Sequence, residues 1–279
     1  MPPTLRQRRL GVELRKLRER AGLTSTAAAA RLGFQQARMS MIEAGRYAVS
    51  ADRVRAMASS YSCADHKLVN ALTEMTGGRT RGWWDAYAEF LPPALLDLAE
   101  LEHHATRLRV ALAIHIPGLL QTVDHARVLF QGVVPPPMAY QVEHRLSYRM
   151  KRQVVIQGER PIPYTAIIHE AALRMQVGGA ATARGQLEHL LKMGELDNVT
   201  LRVLPFGSGA FPSTGQPIDY ASGPLPQLDT VQLDAHHGCE FLDAEAELAK
   251  YRTVLDRLEA NSLDPAASKE FIYHLVRNA

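Results

Sequence analysis

Apolar residues recur at helical spacing along the first 76 residues. Leu10, Leu14 and Leu17 repeat every three or four positions, and arginine and lysine fill most of the polar positions around them. Similar patterns follow at about 24–32, 35–44, 51–61 and 64–75. The sequence therefore predicts a mainly α N-terminal domain of five helices.

Capping residues predict the boundaries between the first three helices. Gly22 ends the first helix, and Thr24 is a good N-cap for an alanine-rich second helix. Gly33 provides the turn into the third helix, because a left-handed backbone conformation costs glycine little. Two short helices joined by a tight turn are the arrangement that inserts one helix into a DNA major groove while the other braces the backbone.

The third helix has an apolar inner side and a polar outer side. Met39 and Ile42 share the inner side with Phe34. Glutamine is suited to bidentate contact with adenine, arginine to guanine or phosphate, and methionine to the methyl group of thymine. Arg46 follows the helix, where it is expected to hold a phosphate. The outer positions are Gln36, Ala37, Ser40 and Met41, with Arg38 near the edge.

A segment rich in glycine and arginine, residues 77–82, predicts a linker, and its arginines are further candidates for phosphate contact. Residues 83–279 then predict an α+β domain with one mixed sheet. The run 199–204 alternates only partly, as expected for an interior strand. We predict helices at about 93–114, 118–131, 138–156, 170–177, 180–193, 243–260 and 265–277, and strands at about 163–168, 199–205, 216–222, 230–234 and 239–242.

The charge is divided unevenly along the 279 residues. Residues 1–80 carry 14 Lys+Arg and 6 Asp+Glu, a net charge of +8, whereas residues 81–279 carry a net charge of −5. A basic end on an acidic body indicates that the first part meets a polyanion. Two cysteines provide no disulfide framework, and neither a membrane span nor a signal peptide is visible. We expect a cytoplasmic protein that is nucleoid-associated when bound to DNA.

The stretch from Gly22 to Arg46 resembles the Xre family of helix-turn-helix domains, to which the phage repressors belong. The Thr-Ser start, the Leu-Gly turn and the Ile-Glu-Ala-Gly-Arg end carry the resemblance. Ala28 departs from the family, which usually has leucine there. The resemblance implies that Arg18 and Glu43 form a buried ion pair. It also implies base-facing roles for Gln36, Ala37 and Met41, and DNA-backbone roles for Ser25, Gln35 and Arg46.

The C-terminal half resembles the uncharacterised domain that follows an Xre-type helix-turn-helix in many actinomycete regulators. Those regulators are typically encoded beside a small partner protein and have been linked to antitoxin-like or developmental control. The resemblance transfers neither a ligand nor a catalytic residue. It is carried by Gly82-Trp83-Trp84, Ile116 to Thr122, His169 to Arg174, Asn198 to Phe206 and Leu263 to Ser268.

Other candidate sites have simpler structural explanations. His236, His237 and Cys239 suit zinc or copper chemically, but a turn and strand is favoured because side chains alternate between faces along a strand. His103-His104, beside Glu100 and Glu102, is interpreted as a solvated helix face, Glu170 with Arg174 as local helix support, and Trp83-Trp84 as a packing anchor rather than a pocket wall. No hydrolase, Walker or dinucleotide motif is present, so we assign no catalytic, cofactor or metal site.

Together these observations predict a DNA-binding transcriptional regulator that is not an enzyme. One helix-turn-helix reads few base pairs, so we expect a homodimer on a palindromic double-stranded operator. The C-terminal domain is expected to dock a small protein encoded by the adjacent gene. Two alternatives stay open for that domain, a pocket that senses a small molecule and an enzyme that the DNA-binding end targets.

Overall fold

The computed structural model describes residues 2–77, 82–209, 215–235 and 238–278. The chain forms two compact units, Met1–Asp85 and Ala86–Ala279. Most of the predicted linker, including Arg79 and Arg81, lies outside the described residues.

The N-terminal unit contains five α-helices within residues 2–77. The predicted caps are confirmed: the Thr24 hydroxyl accepts a hydrogen bond from the Ala27 amide, and Gly22 and Gly33 both have positive φ angles. The helices are α1 (Leu5–Arg20), α2 (Ser25–Arg31), α3 (Gln36–Glu43), α4 (Ala51–Ser60) and α5 (His66–Glu74).

A small core holds these five helices together. Leu14, Met39, Met57 and Leu72 are fully buried, one from each of four helices. Gly11 lets α1 approach α3 closely, since a Cβ atom at this position would lie 2.5 Å from the carbonyl oxygen of Glu43. The core therefore fixes α3 from its inner side and leaves its outer side available.

The C-terminal unit is α+β, as predicted. Its strands are β1 (Arg107–Leu112), β2 (Tyr164–His169), β3 (Val199–Leu204), β4 (Ile218–Ser222), β5 (Thr230–Ala235) and β6 (Gly238–Leu242). Its helices are α6 (Pro93–His104), α7 (Val123–Gln131), α8 (Ala139–Arg152), α9 (Val154–Gln157), α10 (Glu170–Arg174), α11 (Ala180–Met193), α12 (Glu245–Asn261) and α13 (Pro265–Arg277).

The six strands form one mixed sheet in the order β3-β2-β1-β4-β5-β6. β1, β2 and β3 run parallel, and β4, β5 and β6 join by antiparallel pairing. The prediction of one helix over 93–114 was wrong, because β1 occupies its second half at the centre of the sheet. Arginine, leucine and alanine are good helix formers, but pairing with β2 and β4 overrides that local preference.

The prediction that 199–204 is an interior strand was also wrong, because β3 lies at the edge of the sheet. Its outer edge is nevertheless satisfied at Val203. The Ser268 hydroxyl accepts from the Val203 amide at 2.9 Å, and the Leu263 amide donates to the Val203 carbonyl at 2.8 Å. This covered edge explains why the strand has the apolar composition of an interior one.

The sheet buries a different core on each face. On one face, Leu108, Val110 and Leu112 of β1 join a large core. On the other face, Ala111 and its neighbours pack with leucines of α12. Arg109 also points to this second side and pairs with Asp256 and Glu259 of α12, both at 2.8 Å.

Candidate DNA-binding surface

The second and third helices form a helix-turn-helix whose turn is set by local sequence. α2 ends in hydrogen bonds from the Leu32 amide to carbonyls of the preceding turn, and the Phe34 amide returns to the Ala29 carbonyl at 2.8 Å. Gly33, with φ of +67°, allows this reversal. The chain then enters α3 through Gln35, which has an extended backbone conformation.

The inner side of α3 is anchored by packing and by one ion pair. Met39 and Ile42 are buried, as predicted. The predicted pair of Arg18 and Glu43 is confirmed, with contacts of 2.6 Å and 2.9 Å between guanidinium and carboxylate. Arg18 also donates to the Leu23 carbonyl at 2.6 Å. One buried guanidinium therefore joins α1, the loop before α2 and the end of α3.

The outer side of α3 is exposed along its length. Gln36, Ala37, Ser40 and Met41 are all exposed, and 45% of Met41 is accessible although it is a large apolar side chain. The Gln36 amide donates to the Ser40 hydroxyl at 2.9 Å. This side of the helix thus presents a carbonyl acceptor, an amide donor, a hydroxyl and an apolar group, the chemistry that base edges recognise.

Arg38 belongs to a cluster that the sequence analysis did not find. Its guanidinium lies 4.5 Å from the centre of the Tyr47 ring and 5.1 Å from that of Phe34. Arg53 of α4 lies 4.5 Å from the same Phe34 ring and donates to the Leu32 carbonyl. Two arginines from different helices thus meet on one aromatic ring. The sequence shows that Arg53 lies in the first turn of α4, but only the packing of α4 against the other helices shows that it lies beside Phe34.

The residues predicted to contact the DNA backbone differ in their exposure. Gln35 and Arg46 are exposed, and Arg46 has no ion-pair partner among the described residues. The hydroxyl of Ser25 is buried and finds no hydrogen-bond partner in the described part of the chain. A phosphate contact from Ser25 therefore requires its side chain to rotate outward.

Charge pairing separates two groups of cations in this unit. On α1, Arg15 pairs with Glu19, and Arg9 and Lys16 both contact Glu13. By contrast, a second group has no carboxylate partner within the residues the structure describes: Arg31, Arg38, Arg46 and Arg53. Unneutralised surface arginines attract polyanions and release counterions when they bind phosphate.

The remaining predicted features are distributed across the C-terminal unit. Glu170 pairs with Arg174 at 2.6 Å and also accepts from the Phe206 amide at 2.9 Å, so it supports more than its own helix. We interpreted His103-His104 and the neighbouring Glu100 and Glu102 as a solvated helix face. This was wrong for the two glutamates, because both are buried. Glu102 forms a bidentate pair with Arg152.

The structure describes only part of the candidate metal site at His236, His237 and Cys239. His236 and His237 lie outside the described residues, and Cys239 is a free, half-buried thiol that donates to Asp234 at 3.4 Å. Burial, reinforced by Asp234, raises the pKa of Cys239 to about 12, so the thiolate is strongly disfavoured. No group of three metal-ligating side chains occurs among the described residues.

These features define a helix-turn-helix protein whose third helix has an exposed outer side, and the family comparisons agree. Residues 9–72 match a family model described as a helix-turn-helix domain, which indicates a DNA-binding regulator rather than an enzyme. Residues 95–274 match a model described as a domain of unknown function, DUF5753. Because that match covers more than half of the chain, the protein belongs to the DUF5753 family. No curated protein and no solved structure matches the chain.

Within the described ranges, no helix combines the length and the apolar character needed to cross a bilayer.

Proposed function

We propose that this protein is a sequence-specific transcriptional regulator that reads operator DNA with α3. The observation that carries the proposal is the outer side of α3, which stays exposed and polar while its inner side is buried. Gln36 is assigned to adenine, Met41 to a thymine methyl group, and Arg38 to guanine or phosphate. Ala37 and Ser40 complete the base-facing surface.

We further propose that Gln35, Arg46 and Ser25 contact the DNA backbone, and that two copies bind one palindromic operator. A single α3 has eight residues and spans few base pairs. A homodimer reads two half-sites about one helical turn, roughly 34 Å, apart. This symmetry raises specificity because each copy makes the same base contacts at its own half-site.

Selection of bound sequences from random duplex DNA, followed by gel-shift titration, tests these assignments. Replacing Gln36 and Arg38 with alanine should cost about 1–3 kcal/mol per lost base contact and flatten the preference for the selected operator. Arg46→Ala should weaken binding to all sequences alike. Arg184→Ala, which removes an exposed arginine of α11, is the matched control and should change neither.

An unchanged operator preference in the Gln36 and Arg38 double variant contradicts the recognition-helix assignment. A selected site without two-fold symmetry contradicts the homodimer. Circular dichroism of each variant separates a lost contact from a lost fold.

We propose that the C-terminal unit controls DNA binding, either through a small partner protein or through a small molecule. The partner is supported by the resemblance to actinomycete regulators of the Xre type, which are encoded beside such proteins and are linked to antitoxin-like or developmental control. Co-expression with the product of the adjacent gene, followed by size-exclusion chromatography, tests it. The small molecule is supported by a cavity inside the C-terminal unit.

A further inference from the structure

A cavity of about 520 Å³ lies within the C-terminal unit, on the face of the sheet opposite α12. Small-molecule sites usually measure about 300–1,000 Å³. One side of the cavity is apolar and comes from α6, α7 and the segment after β1. The apolar lining includes Leu95, Leu98, Ile116, Leu119, Leu129 and Phe130.

The sheet contributes a polar wall to the same cavity. Asp219 of β4 and Gln232 of β5 are paired in register, and both line the cavity together with Asp234. Their neighbour on this face of the central strand is Val110, which belongs to the large apolar core. Gln232 is buried and Asp219 is half-buried, so two polar side chains stand where apolar residues would continue the core, whereas Asp234 is exposed at the end of the wall. Burying a polar group costs free energy unless the group is hydrogen-bonded.

Asp219 has no hydrogen-bond partner within the described ranges, although it is half-buried. Burial, and secondarily the nearby Asp234, raises the pKa of Asp219 to about 7. Asp234 accepts from Gln232 at 2.6 Å and from Cys239 at 3.4 Å, both at its Oδ1 atom. The two carboxyl groups together lack a cation on this wall.

Arg149 of α8 is the counterpart on the opposite wall. Its guanidinium donates to the Oε1 atom of Gln121 at 2.6 Å and stacks on Phe130, with 5.0 Å to the ring centre. It forms no ion pair with a carboxylate among the described residues. Burial lowers its pKa to about 10, so it keeps its charge near neutral pH. Arg152, the next arginine along the cavity, is already neutralised by Glu102.

The segment Ile116 to Thr122 holds Arg149 in place. The side-chain amide of Gln121 donates to the Ile116 carbonyl at 2.7 Å, which fixes the oxygen that accepts from Arg149. Gly118 gives the guanidinium room, because a Cβ atom there would lie 3.1 Å from its Nη1 atom. A charged group whose position is fixed before binding loses little entropy when a ligand arrives. This gives a concrete role to one of the motifs that distinguish the C-terminal half.

We propose that this cavity binds a small amphipathic zwitterion, whose ammonium group pairs with Asp219 and Asp234 and whose anionic group pairs with Arg149. The apolar body of the ligand packs against the leucines of α6 and α7. An arginine without a carboxylate partner and two carboxyl groups without a cation, all lining one cavity, are the observation that selects a zwitterion over a purely apolar ligand. The idea that this ligand controls DNA binding rests on the proposed function. The idea that the cavity binds such a ligand does not.

Isothermal titration calorimetry on the full chain tests the proposal with the dipeptide L-phenylalanyl-L-leucine as probe. Its N-acetyl derivative lacks the cation, and its C-terminal amide lacks the anion. We expect the free dipeptide to bind and each derivative to bind at least about 10-fold more weakly, as for the loss of one charged hydrogen bond. Equal binding of all three, or no binding of the free dipeptide at millimolar concentration, overturns the proposal.

Two variants assign each charge to its partner. Asp219→Asn combined with Asp234→Asn should remove the discrimination between the free and the N-acetylated dipeptide, while Arg149→Gln should remove the discrimination between the free carboxylate and the amide. Asp256→Asn, on the α12 side of the sheet, and Arg184→Gln, on α11, are matched controls that should bind like the unmodified protein. Discrimination that survives in the double variant of Asp219 and Asp234, or in Arg149→Gln, contradicts the assigned contacts.

A gel-shift assay on the selected operator separates this proposal from the proposed function. DNA binding without dipeptide binding overturns the cavity assignment alone. Dipeptide binding without DNA binding overturns the regulator assignment alone.

Discussion

The two units of this protein use unpaired charges in opposite ways. In the N-terminal unit, Arg38, Arg46 and Arg53 lie on the surface, where salt screens them and a polyanion can reach them. In the C-terminal unit, Arg149 and Asp219 are half-buried and line a cavity of about 520 Å³, where screening is weaker and a small molecule fits. Exposure, rather than the number of charges, therefore indicates what kind of partner each unit is built to meet.

Each unit also contains a buried ion pair that fixes the position of the functional charges. Arg18 with Glu43 anchors α3, and Arg152 with Glu102 joins α8 to α6. Removing one member of such a pair leaves a desolvated charge without compensation. Substitutions at these two pairs should therefore have the largest effects on stability.

The largest expected effect is that of Glu102→Ala. It leaves Arg152 buried without a carboxylate and close to Arg149, so the free energy of unfolding of the C-terminal unit should fall by about 3–5 kcal/mol. Urea denaturation followed by circular dichroism measures this. Glu143→Ala, which breaks an exposed pair with Arg127, is the control and should leave the midpoint unchanged. Similar midpoints for the two variants would show that the buried pair adds no stability.

Glu43→Ala should have the next largest effect, a loss of about 3 kcal/mol in the N-terminal unit. Urea denaturation followed by circular dichroism measures this. The urea midpoint should fall, and operator binding should weaken because α3 loses its anchor. If the midpoint stays fixed, Glu43 does not hold the helix.

Asp219→Asn should change how stability depends on pH. The pKa of Asp219 is raised from its ordinary value near 4 to about 7, so between these values the folded chain holds a proton that the unfolded chain has lost. The free energy of unfolding therefore falls as pH rises from about 4 to 7 and stays lowered above that. The variant should match the unmodified protein near pH 4. It should exceed it at pH 8 by roughly 2 kcal/mol, about half of what the full pKa difference gives, because solvent partly screens this half-buried carboxyl group.

Thermal unfolding at a series of pH values measures this effect. The charged groups that act on Asp219 are Asp234 on β5, Arg152 and Arg149 on α8, and Glu102 on α6. Asp256→Asn, an exposed position on α12, should show no such pH window. Parallel pH profiles for Asp219→Asn and the unmodified protein would contradict the raised pKa.

The smallest effect is expected from Arg53→Ala, which removes one surface charge beside Phe34. If Arg53 contacts phosphate, the slope of log affinity against log salt concentration should become less steep by about 1, with operator preference kept. Fluorescence anisotropy over a range of salt concentrations measures it. Arg15→Ala, which removes an arginine paired with Glu19 on α1, is the control. Equal slopes in both variants would exclude Arg53 from the DNA-binding surface.

Much of the fold was predictable because the signals are local. The cap at Thr24 and the positive-φ glycines 22 and 33 act within a few residues, so the helix boundaries around them follow from the sequence. The strands β2, β4 and β5 were also found, since runs of β-type residues lie between clear breaks. β1 was missed, because its arginine, leucine and alanine residues favour a helix until two neighbouring strands pair with it.

The candidate sites divide in the same way. The outer residues of α3 were identified because helical periodicity alone separates an inner from an outer side. Arg53 was not identified, since its place beside Phe34 depends on packing between helices. The cavity was not identified either, because Arg149 of α8 is distant in the chain from Asp219 of β4 and Asp234 of β5, and only the fold brings them together.

Local sequence signals set where the N-terminal helices begin and end, which side of α3 stays exposed and how charge divides between the two halves. These properties depend on backbone conformation, periodicity and composition, all of which are local. By contrast, tertiary contacts place β1 at the centre of the sheet and bring Arg149 and Asp219 to one cavity. Those properties arise from contacts between distant segments, whose free energy outweighs local preference.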